Sequence, residues 1–265
     1  MATRDMNSWQ TSICQVVSTD SEEEILVRGE KLSELIGNIT FADMMFLMLQ
    51  GRRPQVAERN VLDALLVASM EHGIAPPSMV SRCYASYGTS IQAAVSAGVN
   101  AFGDRMGGLG EQLARQLAEA VAASGRNPAE IDDATARSIA ADIVENARTS
   151  KGRVPGYGIP LHSADPRAPA VLKVANAEGT SGVYARIGMY IEETLAAARG
   201  GKRVPMNLDG VSAVVILDLG FDWRSTRLFL LTPRSVSMGA HYLEELAQDS
   251  TWRHIPADQI EYLQN

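Results

Sequence analysis

The fold is indicated first by the stretch Ser90-Ile91-Gln92-Ala93-Ala94-Val95-Ser96-Ala97-Gly98-Val99-Asn100-Ala101-Phe102. Nearly all of its side chains are small. A helix that is small on every side is typical of the centre of a helical bundle or of a subunit interface, because its neighbours can approach closely. This stretch therefore predicts dense helix packing.

On both sides of this stretch, most of the chain has the apolar periodicity of helices, broken by Gly and Pro. The predicted helices cover residues 41–49, 56–70, 78–87, 90–102, 111–123, 128–147, 170–177, 183–198, 207–219 and 226–246. Before them, residues 11–28 contain two β-prone runs around the turn-prone Ser18-Thr19-Asp20-Ser21, which predicts a hairpin. We therefore expect an all-α fold with a small N-terminal β-hairpin. The β-prone runs 214–217 and 228–231 are the weakest parts of this interpretation.

Composition excludes several classes of protein. The 265 residues are enough for one large domain or two unequal ones. A net charge of −7 argues against a partner that is a nucleic acid. The two cysteines lack metal-ligand spacing, and no metal site is predicted. No apolar run approaches the ~20 residues that span a bilayer, and no segment resembles a signal peptide, so a cytoplasmic protein without a membrane partner is expected.

Two ionisable side chains stand beside glycine at the ends of predicted helices. His72, in Glu71-His72-Gly73, follows an apolar helix whose C-terminal end would favour a protonated imidazole. It is either a capping residue or a group that handles a proton or an anion. Asp209, in Asn207-Leu208-Asp209-Gly210, is either the cap of the following helix or a desolvated carboxyl with a raised pKa. The second alternative would suit a proton transfer to or from carbon.

Two arginines and one loop could hold an anionic ligand. Arg167 and Arg234 each follow a proline, and a guanidinium binds a carboxylate through paired hydrogen bonds, although a single arginine is commonly a solvated surface residue. The loop 151–158 reads Lys151-Gly152-Arg153-Val154-Pro155-Gly156-Tyr157-Gly158. Its glycines let backbone amides approach a phosphate, and Lys151 and Arg153 supply charge. By itself such a loop is a weak signal, because Gly- and Pro-rich loops are common.

Taken in order, these motifs resemble those of the citrate synthase superfamily. The resemblance is greatest to its cleaving branch, citryl-CoA lyase and the C-terminal module of ATP-citrate lyase. Asn207-Leu208-Asp209-Gly210 differs at one position from the Asn-Val-Asp-Gly of ATP-citrate lyase. Gly103-Asp104-Arg105-Met106-Gly107-Gly108 is similar to its Gly-Asp-Arg-Phe-Gly-Gly, where true citrate synthases carry Gly-Pro-Leu-His-Gly. Without the resemblance, residues 103–108 are simply a turn between helices.

The resemblance, which runs from about Thr11 to Leu263, implies a role for each motif. His72 would hold the hydroxy-acid or keto-acid part of the substrate, Arg167 and Arg234 would bind its carboxylates, and Asp209 would be the acid or base at carbon. His241 is expected only to pack or hydrogen-bond within its own helix. The nucleotide part of coenzyme A would lie beside the glycine-rich loop, at Lys151, Arg153, Val154, Pro155, Gly156 and Gly158.

The chain departs from the family at two positions. Ile159 stands where the family loop carries a histidine that bonds the substrate hydroxyl, and Met106 stands where synthases carry a histidine that polarises the acetyl-CoA carbonyl. An aliphatic side chain can neither donate nor accept a proton. His162 follows three residues after Ile159, so His162 is either the base on the substrate hydroxyl or a surface loop histidine.

The family also implies an architecture and a reaction. We expect a large helical domain of residues 1–108 and 206–265, a small helical domain of residues 109–205, and a homodimer or higher homo-oligomer. The implied reaction cleaves citryl-CoA or a related 3-hydroxyacyl-CoA into acetyl-CoA and oxaloacetate or a related keto acid. The alternatives are an enzyme that condenses an acyl-CoA with a keto acid, and a homologue that binds coenzyme A without catalysis.

Overall fold

The structure is a computed structural model that describes residues 9–21, 23–158, 165–249 and 251–263. These residues form a three-stranded antiparallel sheet and eleven α-helices, so the predicted all-α fold with a small N-terminal hairpin is confirmed. The strands are β1 (Cys14–Ser18), β2 (Glu23–Val27) and β3 (Glu30–Lys31). The helices are α1 (Leu32–Leu35), α2 (Phe41–Gln50), α3 (Val56–Ser69), α4 (Pro76–Ser86), α5 (Ile91–Asn100), α6 (Leu109–Ala123), α7 (Asp133–Thr149), α8 (Arg167–Ala177), α9 (Val183–Ala197), α10 (Leu208–Asp218) and α11 (Leu228–Ala247). Short 3-10 helices lie at Pro128–Glu130, Trp223–Ser225 and Ala257–Gln259.

The described residues from 9 to 63 form one of two compact units. Its sheet has the order β1-β2-β3, and Val16 pairs with Ile25 in the register of the first two strands. A small apolar cluster centres on the buried side chains of Val27, Leu35 and Leu47. Thr40 starts α2 through a capping box with Asp43, which satisfies N–H groups that the first helical turn leaves free.

The described residues from 64 to 263 form the second unit, which contains every described residue of the candidate site. In one part, α4, α5 and α11 pack against one another. In another, α10 packs against α6, α8 and α9, and α7 packs against α9. Residues 210–217 of α10 are all buried. A helix that is apolar on all sides can be stable only when other helices surround it, as they do here.

The predicted division into residues 1–108 with 206–265 and residues 109–205 stays a prediction. One predicted helix needs correction, because the segment 128–147 is a 3-10 turn followed by α7. The side chain of Asp132 accepts the N–H of Thr135 at 2.8 Å and so starts α7 there. Among the described residues, no helix is both long and apolar enough to span a membrane.

Candidate active site

The start of α10 is built around Asn207 and two glycines. Oδ1 of Asn207 accepts the N–H of Gly210 at 3.2 Å, which makes Asn207 the N-cap of α10. Its Nδ2 donates to the carbonyl of Gly158 at 2.7 Å, and its backbone N–H donates to the carbonyl of Gly156 at 2.9 Å. A Cβ on Gly210 would lie 2.4 Å from the carbonyl oxygen of Gly156, so only glycine fits. These contacts fix the loop 151–158 against the first turn of α10.

Asp209 lies in this first turn but does not cap α10, because Asn207 occupies the capping position. Oδ1 of Asp209 accepts the backbone N–H of Gly110, at the start of α6, at 3.3 Å. Burial of the carboxyl raises the pKa of Asp209 above its ordinary value, against the lowering effect of the Gly110 N–H and the charges of Arg167 and Arg234. Asp209 therefore keeps its proton more readily than an exposed aspartate, as a group that exchanges protons with carbon requires.

Arg167 is held by Asp165 rather than free in solvent. Its Nε donates to Oδ1 of Asp165 at 2.9 Å and its Nη2 donates to Oδ2 at 2.8 Å, a bidentate pair. Burial disfavours the charge on Asp165, but the hydrogen bonds from Arg167 and the N–H of Leu208 outweigh burial and lower its pKa. Asp165 is 2% exposed. The pair therefore ties the start of α8 to the start of α10.

Arg234 is buried in α11, with 6% of its surface exposed. Its guanidinium lies over the ring of Phe102, with Cζ 5.9 Å from the ring centroid, and its Nη1 is 3.8 Å from Oε1 of Glu71. Burial lowers the pKa of Arg234, although the charges of Glu71 and Asp209 partly offset that effect. For both Arg167 and Arg234, the alternative of a solvated surface arginine is wrong.

His72 lies in the turn between α3 and α4. Helix α3 ends at Ser69, so the expectation of an imidazole at the C-terminal end of that helix is wrong. Oε1 of Glu71 accepts the N–H of His72 at 2.7 Å and the N–H of Gly73 at 2.6 Å. Gly73 has a φ of +74°, a conformation that glycine adopts without strain. The Glu71 carboxylate thus shapes the backbone that presents His72.

The electrostatic interactions show that three of the predicted residues lie together. Asp209 interacts with both Arg167 and Arg234, and Arg234 interacts with Arg167, Asp209 and Glu71. Two like-charged guanidinium groups therefore share a largely buried region with one carboxyl of raised pKa. His72 adjoins this group through its chain neighbour Glu71. Such an arrangement suits a ligand that carries carboxylates of its own.

The glycine-rich loop divides into an exposed and a buried half. Lys151 and Arg153 are exposed, as groups that attract an anionic ligand from solution would be. Val154, Pro155 and Gly156 are buried, so their contribution is to shape the loop. Gly158 is half-buried, and its N–H donates to the carbonyl of Pro205 at 2.8 Å.

His162, the predicted base, and Ile159 lie outside the described residues. Met106 lies in a tight turn closed by two hydrogen bonds. The N–H of Gly103 donates to the carbonyl of Met106 at 2.9 Å, and the N–H of Met106 donates to the carbonyl of Gly103 at 3.0 Å. The alternative of a turn between helices therefore describes its local structure. Among the described residues, no cluster of three or more His, Cys, Asp or Glu side chains could hold a metal ion.

For three residues near the site, the sequence pattern gives no role or a different one. It assigns no role to Asp165 or Glu71, although each stands within two positions of a predicted site residue. For His241 it predicts only packing or hydrogen bonding within its own helix. Instead its ring contacts Glu71 and Arg82, which belong to other segments of the fold. The sequence contains no local signal for those two contacts.

Comparisons with known proteins show the family and the fold of the chain. Residues 48–255 match the family model described as citrate synthase, C-terminal domain. The solved structure of citryl-CoA lyase from Hydrogenobacter thermophilus is 31% identical, with a TM-score of 0.84 over 97% of this chain and 95% of that one. ATP citrate lyase from Methanothrix soehngenii, solved in complex with citrate and coenzyme A, is 18% identical. It superposes with a TM-score of 0.78 over 99% of this chain and 43% of its own, a likeness that concerns the fold alone.

A curated relative gives a weaker match. The glyoxysomal citrate synthase of Cucurbita maxima is 23% identical over 85% of this chain. The chain spans about half the length of that relative, 48%.

Proposed function

Because this chain belongs to the citrate synthase family, we propose that it cleaves citryl-CoA or a related 3-hydroxyacyl-CoA into acetyl-CoA and oxaloacetate or a related keto acid. A lyase or synthase of this superfamily acts on a carbon–carbon bond next to an acyl-CoA thioester. The cleaving direction is supported by the likeness to a citryl-CoA lyase along nearly the whole of both chains.

The observation that carries the proposal is the cluster of Asp209, Arg167 and Arg234. Nη1 of Arg167 and Nε of Arg234 are buried and have no hydrogen-bond partner within the described ranges. A buried donor without a partner costs about 1–3 kcal/mol, so a ligand that supplies acceptors would bind favourably there. Carboxylates of a keto acid are such acceptors, and they would lie beside the Asp209 carboxyl.

In the proposed cleavage, a base removes the proton of the substrate hydroxyl, and the C–O bond becomes a carbonyl as the carbon–carbon bond breaks. The bonding electrons pass into the enolate of the acetyl-CoA thioester. Asp209, whose raised pKa favours its protonated form, donates a proton to the enolate carbon. The proposal gives the role of hydroxyl base to His162, and gives His72, Arg167 and Arg234 the keto-acid half.

The proposed coenzyme A site is the loop 151–158. Lys151 and Arg153 are exposed on one side of it, and hydrogen bonds to Asn207 fix its other side to the helix that carries Asp209. A phosphate bound near the two basic side chains would therefore be connected by a rigid segment to the reacting end of the acyl chain. This arrangement would let binding of the nucleotide orient the thioester.

Two other functions remain as alternatives to the proposal. The condensing direction uses the same residues, with Asp209 as a carboxylate base that removes a proton from the acyl-CoA. A homologue that binds coenzyme A without catalysis is supported by Ile159 and Met106, which replace two histidines of the family pattern.

The test is an assay of the purified chain with synthetic citryl-CoA, in which release of oxaloacetate is followed by a coupled reaction. We expect cleavage by the wild type and a loss of about 10²–10⁴-fold in kcat in Asp209→Asn, because a carboxamide cannot donate the proton. The matched control is Asp142→Asn, the same change at an exposed position of α7, which should retain the wild-type rate.

The other outcomes separate the alternatives. Condensation of acetyl-CoA with oxaloacetate, without cleavage of citryl-CoA, would support the synthase direction. Binding of coenzyme A without either reaction would refute the catalytic proposal and support the homologue that only binds. Equal cleavage by the wild type and by Asp209→Asn would refute the role of Asp209.

A further inference from the structure

His241 stands between two charged side chains from different segments. Its Nε2 lies 3.3 Å from Oε2 of Glu71, and its Nδ1 lies 3.1 Å from Nε of Arg82. An arginine nitrogen can only donate, so Nδ1 must be the acceptor and carries no proton. The ring is then neutral, with its single proton on Nε2 and directed at the Glu71 carboxylate. Arg82 therefore fixes both the tautomer and the orientation of the imidazole.

Arg82 is itself held on its far side. Its Nη1 donates to Oε2 of Glu245 at 2.9 Å, and its Nη2 pairs with Glu244. The Glu245 side chain is fully enclosed and also accepts hydrogen bonds from Arg253, with Nε 2.6 Å from Oε1. Because these partners restrain the guanidinium, its bond to His241 has a defined direction.

Glu71 connects this series of hydrogen bonds to the candidate site. Its carboxylate accepts the N–H groups of His72 and Gly73, and it forms the ion pair with Arg234. The Glu71 side chain is 45% exposed, so nearby packing alone does not fix it. Its restraints within the described residues include the hydroxyl of Ser237 and the imidazole of His241, both on α11.

We propose that His241 is a positioning residue for binding of the keto-acid carboxylates, acting through Glu71. By holding the Glu71 carboxylate, His241 keeps the backbone at His72 and the guanidinium of Arg234 in the arrangement that receives the substrate. It touches no reacting atom itself. This inference rests on the proposed function, because it assigns His241 to the same site.

The test compares three variants of the full-length chain. His241→Leu removes both hydrogen bonds, whereas His241→Gln keeps one acceptor for Arg82 and one N–H donor for Glu71. Tyr242→Phe is the control, since it removes a hydrogen bond from the same helix, to the carbonyl of Thr89 at 2.9 Å. For each variant we would measure the Kd of oxaloacetate and of coenzyme A, and kcat and KM for citryl-CoA.

In His241→Leu we expect the Kd of oxaloacetate and the KM to rise about tenfold or more, while kcat changes less than about threefold and the Kd of coenzyme A less than about twofold. His241→Gln should restore the oxaloacetate Kd to within about threefold of the wild type. If His241 had a purely structural role, His241→Leu would weaken the binding of both oxaloacetate and coenzyme A, and Tyr242→Phe would have the same effect. That result would refute the inference.

A second measurement needs no activity. A long-range proton–nitrogen NMR spectrum of the histidine rings should show Nδ1 of His241 without a proton. In Arg82→Met, which lacks the donor to Nδ1, the proton should no longer be confined to Nε2. A protonated Nδ1 in the wild type would overturn the inference. Equal affinity of the wild type and of His241→Leu for oxaloacetate would refute the positioning role alone. A wild type that neither binds oxaloacetate nor cleaves citryl-CoA refutes the proposed function, and the inference falls with it.

Discussion

At the scale of single residues, the groups around Asp209 shift its pKa in opposite directions. Burial raises the pKa of its carboxyl, while the Gly110 N–H and two nearby guanidinium groups lower it. The net shift is upward. Each protonation state suits one direction of the proposed reaction. Cleavage needs the acid, and condensation needs the carboxylate.

This balance predicts a pH dependence. In the cleaving direction, kcat should be constant at low pH and fall as pH rises through the raised pKa of Asp209, because only the protonated form donates to the enolate. In the condensing direction, kcat should fall as pH drops through the same pKa. The measurement is kcat against pH for wild type and for the residual rate of Asp209→Asn. An alkaline decline that persists unchanged in the Asn variant would assign it to another group.

A second prediction concerns Gly210, where the loop 151–158 meets α10. The Cβ of Gly210→Ala would lie 2.4 Å from the backbone oxygen of Gly156 and 2.5 Å from Cγ of Met206, so both contacts must be relieved by movement. We expect a loss of about 1–3 kcal/mol in the free energy of unfolding, together with weaker binding of coenzyme A.

The control for Gly210→Ala is Gly239→Ala in α11. Its Cβ would meet Ile91 and Val95 at 3.9 Å, an ordinary contact. Alanine is the better helix former, so Gly239→Ala should stabilise the protein by up to about 1 kcal/mol. Denaturation by urea measures both variants. An equal change in the free energy of unfolding of Gly210→Ala and Gly239→Ala would show that the close approach at Gly210 does not affect stability.

The site residues that could be predicted from the sequence are those that stand beside a recognisable motif. Asp209 and Arg167 stand in the first turns of α10 and α8, which pack against each other, whereas Arg234 lies inside α11. The contacts of His241 with Arg82 and Glu71 join positions more than 150 residues apart in the chain. No local pattern encodes such a pairing, because it depends on how α4 and α11 pack.

At the scale of elements, helices were predictable where apolar periodicity runs over several turns. The run Val214–Leu217 is β-prone by residue type but helical in the structure, because α6, α8 and α9 surround α10 and bury it on all sides. The short elements α1 and β3 were not predicted, since four and two residues are too few to show a period. Their existence depends on tertiary context.

Two central helices are joined by one carboxylate, that of Asp218 at the end of α10. It accepts the N–H groups of Gly182, Tyr184 and Ala185 at 2.9–3.0 Å and so satisfies the start of α9. Asp218→Ala should lower the free energy of unfolding by about 1–3 kcal/mol, because these donors lose their acceptor.

The experiment belongs at pH 7.5 or above, since burial raises the pKa of Asp218 to about 6 and the carboxylate form is then the main one. Urea denaturation gives the stability, and hydrogen exchange reports the three amides individually. Asp142→Ala, at an exposed position of α7, should change neither measurement. Unchanged exchange at Gly182, Tyr184 and Ala185 in the Asp218 variant would contradict the capping role.

At the scale of the whole molecule, residues 64–265 gather the site from segments that are far apart in sequence. Asp209 and the Asp165–Arg167 pair meet at the start of α10, Gly110 contributes from α6, and Arg234 contributes from α11. Each segment belongs to a helix that packs elsewhere as well. A ligand that bridges Arg167 and Arg234 would therefore link several helices, and its binding should stabilise the fold as a unit.

This linkage gives the last prediction. At 100 times its Kd, oxaloacetate should stabilise the wild type by about 2.7 kcal/mol, which raises Tm by about 5–10 °C for a chain of this size. Arg234→Gln should abolish that shift and keep the shift caused by coenzyme A, because only the guanidinium that donates to the substrate carboxylate is lost. Arg224→Gln, at an exposed arginine, should keep both shifts. If oxaloacetate still raises the Tm of Arg234→Gln as it does that of the wild type, Arg234 does not bind the keto acid. Loss of both shifts would instead mean that Arg234 maintains the structure of the site as a whole.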